Sequence, residues 1–579
     1  MRPDVLLLII DDLRADLGSY GVRWARTPNI DSLSSQSVTF LQAHAAVANC
    51  APSRASLLTG LRPNTHGVLD LTTHVREKHA RLVTLPQRFR MAGYLAVSYG
   101  KIYHQFLDDA DSWSSQAEFA DGHTYRGLRG TAWSRAGGWN RGWSYNQYMT
   151  RANRATQRDV SKKRRRGDYS IGINAALPRF EEGPDSDKER SPKEADDDHA
   201  YTDERTASRG IRALRKLRGQ SRPWFLALGF VRPHLPFNAP SRFWQSARDA
   251  GALGAAGGEA YAPSGLSHLT TTHLTGGDGE LYDFNGPKHV VASSTHGKTL
   301  AIGYAAAVSF ADAQVGRVLN SLHSSGGDNT TLVVLLSDHG WKLGHYGGWG
   351  KHTLLSADTH TPLMIRYTGF APKRVHAPVE LIDVYPTLCE LARLSCGTGG
   401  GASRRRRAKG DEEEEETEDD NDEEGRRLGR RRARNKRRKD ASSPSAAATT
   451  SAAAESSSPA LEGRSLVPLM HRPSPRAAVA RSAAFSQWPL RKRSVRCMGY
   501  AVRTQGWLYV QWAADLDSNK KAATADVKIS GDACEEHSDL FKVDRNSSRV
   551  GVLREAPVAK GHTRVRRVLR RRLWKVVRS

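Results

Sequence analysis

Cysteine is scarce in this 579-residue chain: Cys50, Cys389, Cys396, Cys497 and Cys534 are all there is. With Cys50 set aside, Cys389–Cys396 and Cys497–Cys534 either pair in an oxidising compartment or stand as free buried thiols, and spacing does not choose between the two. No window of about 18 apolar residues exists, which argues against a membrane span. A secretory leader is missing too. Met1-Arg2-Pro3-Asp4 leads straight into Val5–Ile10, too short for a signal-peptide core followed by a cleavage site. Because Val5–Ile10 reads as a first core strand with nothing before it, the expectation is that the true N-terminus lies upstream; a cytoplasmic protein follows if Met1 is genuine. Asn329-Thr330-Thr331 and Asn546-Ser547-Ser548 fit the glycosylation sequon.

Negative charge is in short supply overall, with a formal balance of +26. Such a field attracts polyanions: nucleic acid, anionic polysaccharide or a membrane surface. Its distribution weakens that reading. Between 397 and 460, Arg404–Arg407 and Arg430–Lys439 are nearly cancelled by the acidic block Asp411–Glu424. Interleaved blocks of this kind mark a solvated segment, so specific nucleic-acid binding is not expected. Only the tail from Ala556 is purely basic, with Arg570, Arg571 and Arg572 among its charges.

Apolar, branched runs of strand length recur at Val5–Ile10, Leu95–Ser98, Phe225–Phe230 and Leu332–Leu336, alternating with amphipathic helical patterns such as Ala207–Leu217 and Thr299–Leu322. Buried strands alternating with helices imply an α/β fold around a large, mostly parallel central sheet flanked by helices. Large apolar side chains nearly vanish over 397–460, so this stretch cannot bury enough surface to offset the entropy of ordering and is expected to be a disordered insertion. Residues 160–200 read as a long surface loop. The expected division is a catalytic domain over 1–396, the insertion 397–460, a smaller C-terminal α+β subdomain over 461–555 and a basic tail 556–579. Leu461–Met470, Tyr500–Arg503 and Trp507–Trp512 carry the signals of the subdomain.

Ligands of an open parallel sheet bind beyond the carboxyl ends of its strands. Four apolar runs end in polar residues there: Asp11-Asp12 after the first, Lys101 and His104 after the second, His234 after the third, Asp338-His339 after the fourth. Any one alone is more often a solvated loop charge or a satisfied histidine; four at one edge are harder to dismiss. Adjacent carboxylates repel unless a cation lies between them, and oxygen ligands suit calcium or magnesium. Asp11, Asp12 and Asp338 are therefore candidate metal ligands, with His339 a fourth. No cysteine cluster or histidine triad accompanies them, which disfavours a redox metal.

The most specific motif is Cys50-Ala51-Pro52-Ser53-Arg54, continued by Ala55-Ser56-Leu57-Leu58-Thr59-Gly60. At average residue usage the five-position pattern arises by chance in roughly one chain of this length in several hundred. Here the chain resembles the sulfatase family, whose signature is Cys-x-Pro-Ser-Arg followed shortly by Thr-Gly. Asp11-Asp12-Leu13-Arg14, Thr27-Pro28-Asn29-Ile30-Asp31, Gly100-Lys101-Ile102-Tyr103-His104, Arg232-Pro233-His234-Leu235-Pro236-Phe237 and Ser337-Asp338-His339-Gly340-Trp341 fall in the family's order. The resemblance covers most of 4–395 and, more faintly, 461–550 through Ala484-Phe485-Ser486-Gln487 and Met498-Gly499-Tyr500; within the family it is nearest the iduronate-2-sulfatase type.

The resemblance implies the alkaline phosphatase-like fold and a Cys50 converted by a formylglycine-generating enzyme. A thiolate or serine that attacked sulfur would leave a stable ester, whereas a sulfated geminal diol expels sulfate by reforming its aldehyde. Pro52 suits the first turn of a helix, so residue 50 is expected at a helix N-terminus, where an anion is favoured. A calcium ion, or magnesium, would be held by Asp11, Asp12, Asp338, His339 and the converted Cys50. Lys101 and Lys351 would neutralise sulfate oxygens, Arg54 would hold the converted residue, His104 would serve as base and His234 as acid.

Trp341 and His352 are expected at the substrate rim, although a core position for Trp341 is an equal reading. The iduronate-type pattern carries acidic residues after this tryptophan and a tyrosine after the lysine; here stand His345, Tyr346, Gly348 and His352, which leaves the substrate open, with a sulfated carbohydrate implied. The family also implies a secreted or lysosomal setting. Two other functions compete: a phosphonate or phosphate monoester hydrolase of the same superfamily, and a non-catalytic polyanion-binding relative with unmodified Cys50. Subunit number is not legible.

Overall fold

The computed structural model describes residues 2–117 apart from 106 and 116, then 181–182, 201–252 apart from 238, 294–396 apart from 346 and 347, 458–471, 482–514 apart from 493 and 494, 538–543, 555–558 and 562–577. The expected insertion, nearly all of the loop 160–200, Asn546 and Cys534 lie outside the described residues.

The central strand is β1 (Asp4–Ile10), whose side chains from Val5 to Ile10 are all fully buried. A strand apolar on both faces is stable only when both faces are covered, and the two faces indeed enter different cores. Leu6, Leu8 and Ile10 pack with helices α1 (Pro28–Ser35), α3 (Thr202–Arg218) and α4 (Thr295–Ser324), while Val5, Leu7 and Ile9 pack on the side of α2 (Cys50–Thr59). The other strands of the large sheet are β2 (Val38–His44), β3 (Leu95–Gly100), β4 (Trp224–Phe230), β5 (Thr331–Ser337), β8 (His360–Arg366), β9 (Lys373–Val375) and β10 (Val379–Glu380). They run in the order β9-β2-β8-β5-β1-β4-β3, with β10 also on β2. Only β8 is antiparallel to its neighbours, so the sheet is mostly parallel, as the alternation of runs implies. A short hairpin, β6 (Lys342–Leu343) with β7 (Trp349–Gly350), follows β5.

Register decides what the carboxyl edge presents. Ile10 lies beside Phe230 of β4 and Ser337 of β5, and Gly100 lies beside Gly229. The residues that follow these positions, Asp11, Val231, Asp338 and Lys101, therefore leave the sheet together. Both glycines are required here: a Cβ on Gly229 would strike the Lys101 carbonyl, and one on Gly100, at φ 78°, would strike the Gly229 carbonyl. The four strand runs and the two helical patterns are all present, each slightly longer than its apolar run because flanking residues still complete the backbone hydrogen bonds, whereas Leu461–Met470 is helical only over Val467–Met470.

A second sheet, antiparallel and strictly sequential, is formed by β11 (Ala484–Lys492), β12 (Val495–Arg503), β13 (Trp507–Ala514), β14 (Ser538–Val543) and β15 (Glu555–Pro557). One face packs on Leu354 and Leu355 of the large domain. The other receives Leu569 and Leu573 of helix α5 (Thr563–Val577), so residues 563–577 of the basic tail are a helix docked on this sheet. Cys389 and Cys396 form a disulfide with Cα atoms 6.0 Å apart. Among the described residues no helix is long and apolar enough to cross a membrane.

Candidate active site

Helix α2 begins at Cys50, and all ten of its residues are buried. Its start points into the carboxyl edge of the sheet, so the side chain at 50 meets groups from four strand ends. Cys50 Sγ lies 3.5 Å from Asp11 Oδ1, 3.5 Å from Lys101 Nζ, 3.6 Å from Lys351 Nζ and 3.3 Å from His339 Nε2. The donor atoms of Asp11, Asp12, Cys50 and His339 are within 4.8 Å of one another.

Each member is oriented by a partner of its own. Arg54, one turn after Cys50 and wholly buried, donates from Nη2 to Asp11 Oδ1 (2.8 Å), from Nε to Asp338 Oδ2 (2.9 Å), and from Nη1 to the carbonyls of Lys101 and Ile102. Lys101 pairs with Asp11 Oδ2, and Lys351 with Asp12 Oδ1 at 2.7 Å. The Asp12 turn, at φ 60°, is pinned by Tyr304 of α4, whose hydroxyl donates to the Asp12 carbonyl (2.7 Å) and accepts from Arg14 N–H (2.9 Å). His339 Nδ1 faces the Gly340 carbonyl at 3.1 Å, which turns Nε2 toward Cys50. Asp203, in the first turn of α3, accepts the N–H groups of Val231 and Arg232 at 2.8 Å each and so shapes the loop carrying His234. His234 Nδ1–H donates to the Leu235 carbonyl (2.7 Å), leaving Nε2 4.0 Å from Asp12 Oδ2.

Burial sets the electrostatics and neighbouring charges then split them. Burial pushes the Asp11 carboxyl up, but the Lys101 and Arg54 cations outweigh it and hold Asp11 well below the usual carboxylate range. Asp12, buried equally, has Lys351 in its favour but Asp11 against it, and lies well above that range. Burial, with Asp11 adding to it, lifts the Cys50 thiol to about 12. His104 and His234 are pushed well below the ordinary imidazole value by burial, then by Lys101 for the first and Lys351 for the second.

These residues fit a divalent metal. Asp12 Oδ2 is buried with no hydrogen-bond partner among the described residues, an arrangement costly unless a cation or proton compensates, and the donor set of two carboxylates and an imidazole suits a hard or borderline ion. Asp338 stands beside this group rather than in it. Its Oδ1 accepts the N–H groups of Asp12 (3.1 Å) and His339 (3.0 Å), and its Oδ2 is taken by Arg54.

Of the two readings of Trp341, the core one describes its position. It is fully buried, edge-on to Phe237 with ring centroids 6.1 Å apart, and has no open face for a sugar. Instead it walls the site, with Lys351 Nζ 5.3 Å from its ring centre. His352 is half-buried and stacks on Trp488 of β11, centroids 5.0 Å apart. Two features went unread in the sequence. Trp488 reaches the rim from the second sheet, more than a hundred residues on. Lys342 is the other: its ammonium bridges Asp358 Oδ2 (2.6 Å) and the Lys351 carbonyl (3.0 Å), with Thr353 N–H also donating to Asp358 (2.9 Å). A lysine followed by an aspartate sixteen residues later is no motif, so nothing in the pattern marked it.

Residues 3–394 match the family model Sulfatase. Iduronate 2-sulfatase of Homo sapiens is 29% identical over 421 residues, covering 68% of this chain and 69% of that protein. In fold, the chain is similar to a protein solved in complex with its substrate D-glucosamine-2-N,6-O-disulfate (TM-score 0.58, 16% identity, 100% of this chain and 98% of that one). It is similar also to the phosphonate monoester hydrolase from Silicibacter pomeroyi (TM-score 0.54, 19% identity, 100% and 95%).

Proposed function

Because the chain belongs to the sulfatase family of sulfuric ester hydrolases, we propose that it cleaves sulfate esters of a carbohydrate, using a divalent metal, calcium or magnesium, and a formylglycine made from Cys50. The observation that carries this reading is the convergence on Cys50 Sγ of a carboxylate, an imidazole and two ammonium groups, all within 3.6 Å and all buried. An inert structural thiol needs no such surroundings.

Asp11, Asp12 and His339 would hold the metal with residue 50, and Asp338 would complete the set if its carboxylate were shared between Arg54 and the ion. The ion would supply polarisation of a sulfate oxygen and acidify the attacking hydroxyl. Cys50 Sγ occupies the place of the oxygens of the converted residue, whose hydrate supplies that hydroxyl. The chain's own groups do the rest. Arg54 fixes Asp11 and the start of α2, so the reacting atom stays aligned with the helix terminus. Lys101 and Lys351 flank residue 50 and neutralise the oxygens of a sulfate group bound there. His104 takes the proton of the remaining hydroxyl, and His234, whose Nδ1 is committed to the Leu235 carbonyl, turns Nε2 toward the departing alcohol and can protonate it once the negative charge of a bound sulfate ester favours the imidazolium. His352 and Trp488 form the rim that the sugar would meet.

Similarity to iduronate 2-sulfatase and to a protein whose substrate is a disulfated glucosamine supports a glycosaminoglycan-like substrate. It also implies a formylglycine-generating enzyme as maturation partner and a secreted or lysosomal setting. Mass spectrometry of the peptide spanning residue 50 from the native source is expected to find an aldehyde, and the purified protein to release sulfate from an aryl sulfate faster than phosphate or phosphonate from the matching aryl esters. Thiol alone at residue 50, or the opposite preference, refutes the reading.

A further inference from the structure

Helix α5 carries seven cations and no carboxylate over Thr563–Val577. A free amphipathic helix of this composition would suit a membrane surface, but here the apolar face is already used. Leu569 is 4% and Leu573 1% exposed against the second sheet, and Trp574 Nε1–H donates to Gln511 Oε1 at 3.1 Å. What remains open is the opposite face. At about 100° per residue, Arg564, Arg567, Arg571 and Lys575 fall within roughly 80° of one another and away from Leu569 and Leu573. All four are exposed. Among the described residues none of them pairs with a carboxylate. The result is a row of four cations without an ion-pair partner among the described residues, roughly 16 Å long, with successive charges about 4.5 to 6 Å apart along the axis, and with the exposed Arg570 and Arg572 on its two flanks.

We propose that this row is a docking surface for an extended sulfated polysaccharide, binding a stretch of the polymer outside the active site. The choice of partner rests on the carbohydrate-sulfate reading above; the existence of the surface does not. Spacing favours such a chain over duplex nucleic acid. A duplex carries one charge per about 1.7 Å of axis, roughly three times denser than the row, whereas a linear sulfated chain presents single charges at sugar-sized intervals. Guanidinium groups also fit the paired oxygens of sulfate. The second sheet links the two places physically. One face bears α5 and the other packs on Leu354, three residues beyond Lys351, so a long chain held by the row would raise the local concentration of sulfate esters near the catalytic edge.

The test compares the full-length protein with the fourfold variant R564Q/R567Q/R571Q/K575Q, and with a control in which the three arginines become lysine. On immobilised heparin, the glutamine variant is expected to elute at clearly lower salt and to lose about three units from the slope of log affinity against log salt; the lysine control should keep both. For a long sulfated chain, kcat/KM should fall about tenfold, with a small aryl sulfate unaffected. Heparin elution identical to wild type overturns the proposal, and so does retention on duplex DNA that exceeds retention on heparin. If neither protein cleaves any sulfate ester but heparin binding still depends on the row, the surface stands and the catalytic reading falls.

Discussion

Two regions of the molecule use positive charge in opposite ways. At the carboxyl edge of the large sheet, Arg54, Lys101 and Lys351 are 2% exposed or less, and each meets a carboxylate. On α5, Arg564, Arg567, Arg571 and Lys575 are exposed and, among the described residues, pair with no carboxylate. The first arrangement is expensive to create and sensitive to loss of one partner, because a buried charge without its counter-ion keeps its desolvation cost. The second is cheap for the fold, since water and salt screen it, and for the same reason it is available to an outside polyanion. A formal charge of +26 therefore says little by itself: what a cation does depends on whether the fold has already supplied its partner.

The contrast is sharpest for Arg54. Arg54→Met strips two buried carboxylates of their shared partner and is expected to destabilise the protein by about 3–5 kcal/mol, read as a fall in the denaturant midpoint, with loss of activity. If that variant unfolds as wild type does, the buried network is not what holds this edge together. Asp358→Asn acts one step away from the chemistry. It weakens the Lys342 bridge to the Lys351 carbonyl, so kcat on an aryl sulfate is expected to drop about 10- to 100-fold while KM changes little; a change in KM alone would mean that Asp358 does not position Lys351. At the other extreme, Arg571→Gln should shift the unfolding free energy by no more than about 0.5 kcal/mol. A larger loss in chemical denaturation would show that this exposed cation supports the fold, which would erase the distinction between the two regions.

Much of the catalytic edge was legible in the chain. A buried parallel strand has to be apolar on both faces, so Val5–Ile10 and Leu332–Leu336 announce themselves, and their polar successors are the residues that the sheet exposes to ligand. The motif at Cys50 was legible because it is carried by five residues in a row, so that no folding is needed to bring its members together. Trp341 was not, because a tryptophan after a strand reads alike whether it faces Phe237 in a core or a sugar in a groove. Lys342, Asp358 and Trp488 were silent for a related reason: each acts through a partner that only folding brings near. The tail read as basic and nothing more. Its Leu569 and Leu573 stand one helical turn apart with Val565 a turn before them, yet seven cations in the same fifteen residues mask that spacing.

What the sequence determined by itself is the kind of sheet, the edge at which its polar residues gather and the cysteine around which they gather, since these follow from periodicity and from residues few places apart. What only the tertiary structure decided is pairing: which carboxylate Arg54 shares with Lys101, which of the acidic residues group with Cys50, which face of α5 stays open. Coulomb and desolvation energies depend on distances of a few ångströms, and residues 11, 50, 101, 338 and 351 acquire those distances only when strands from across the chain enter one register.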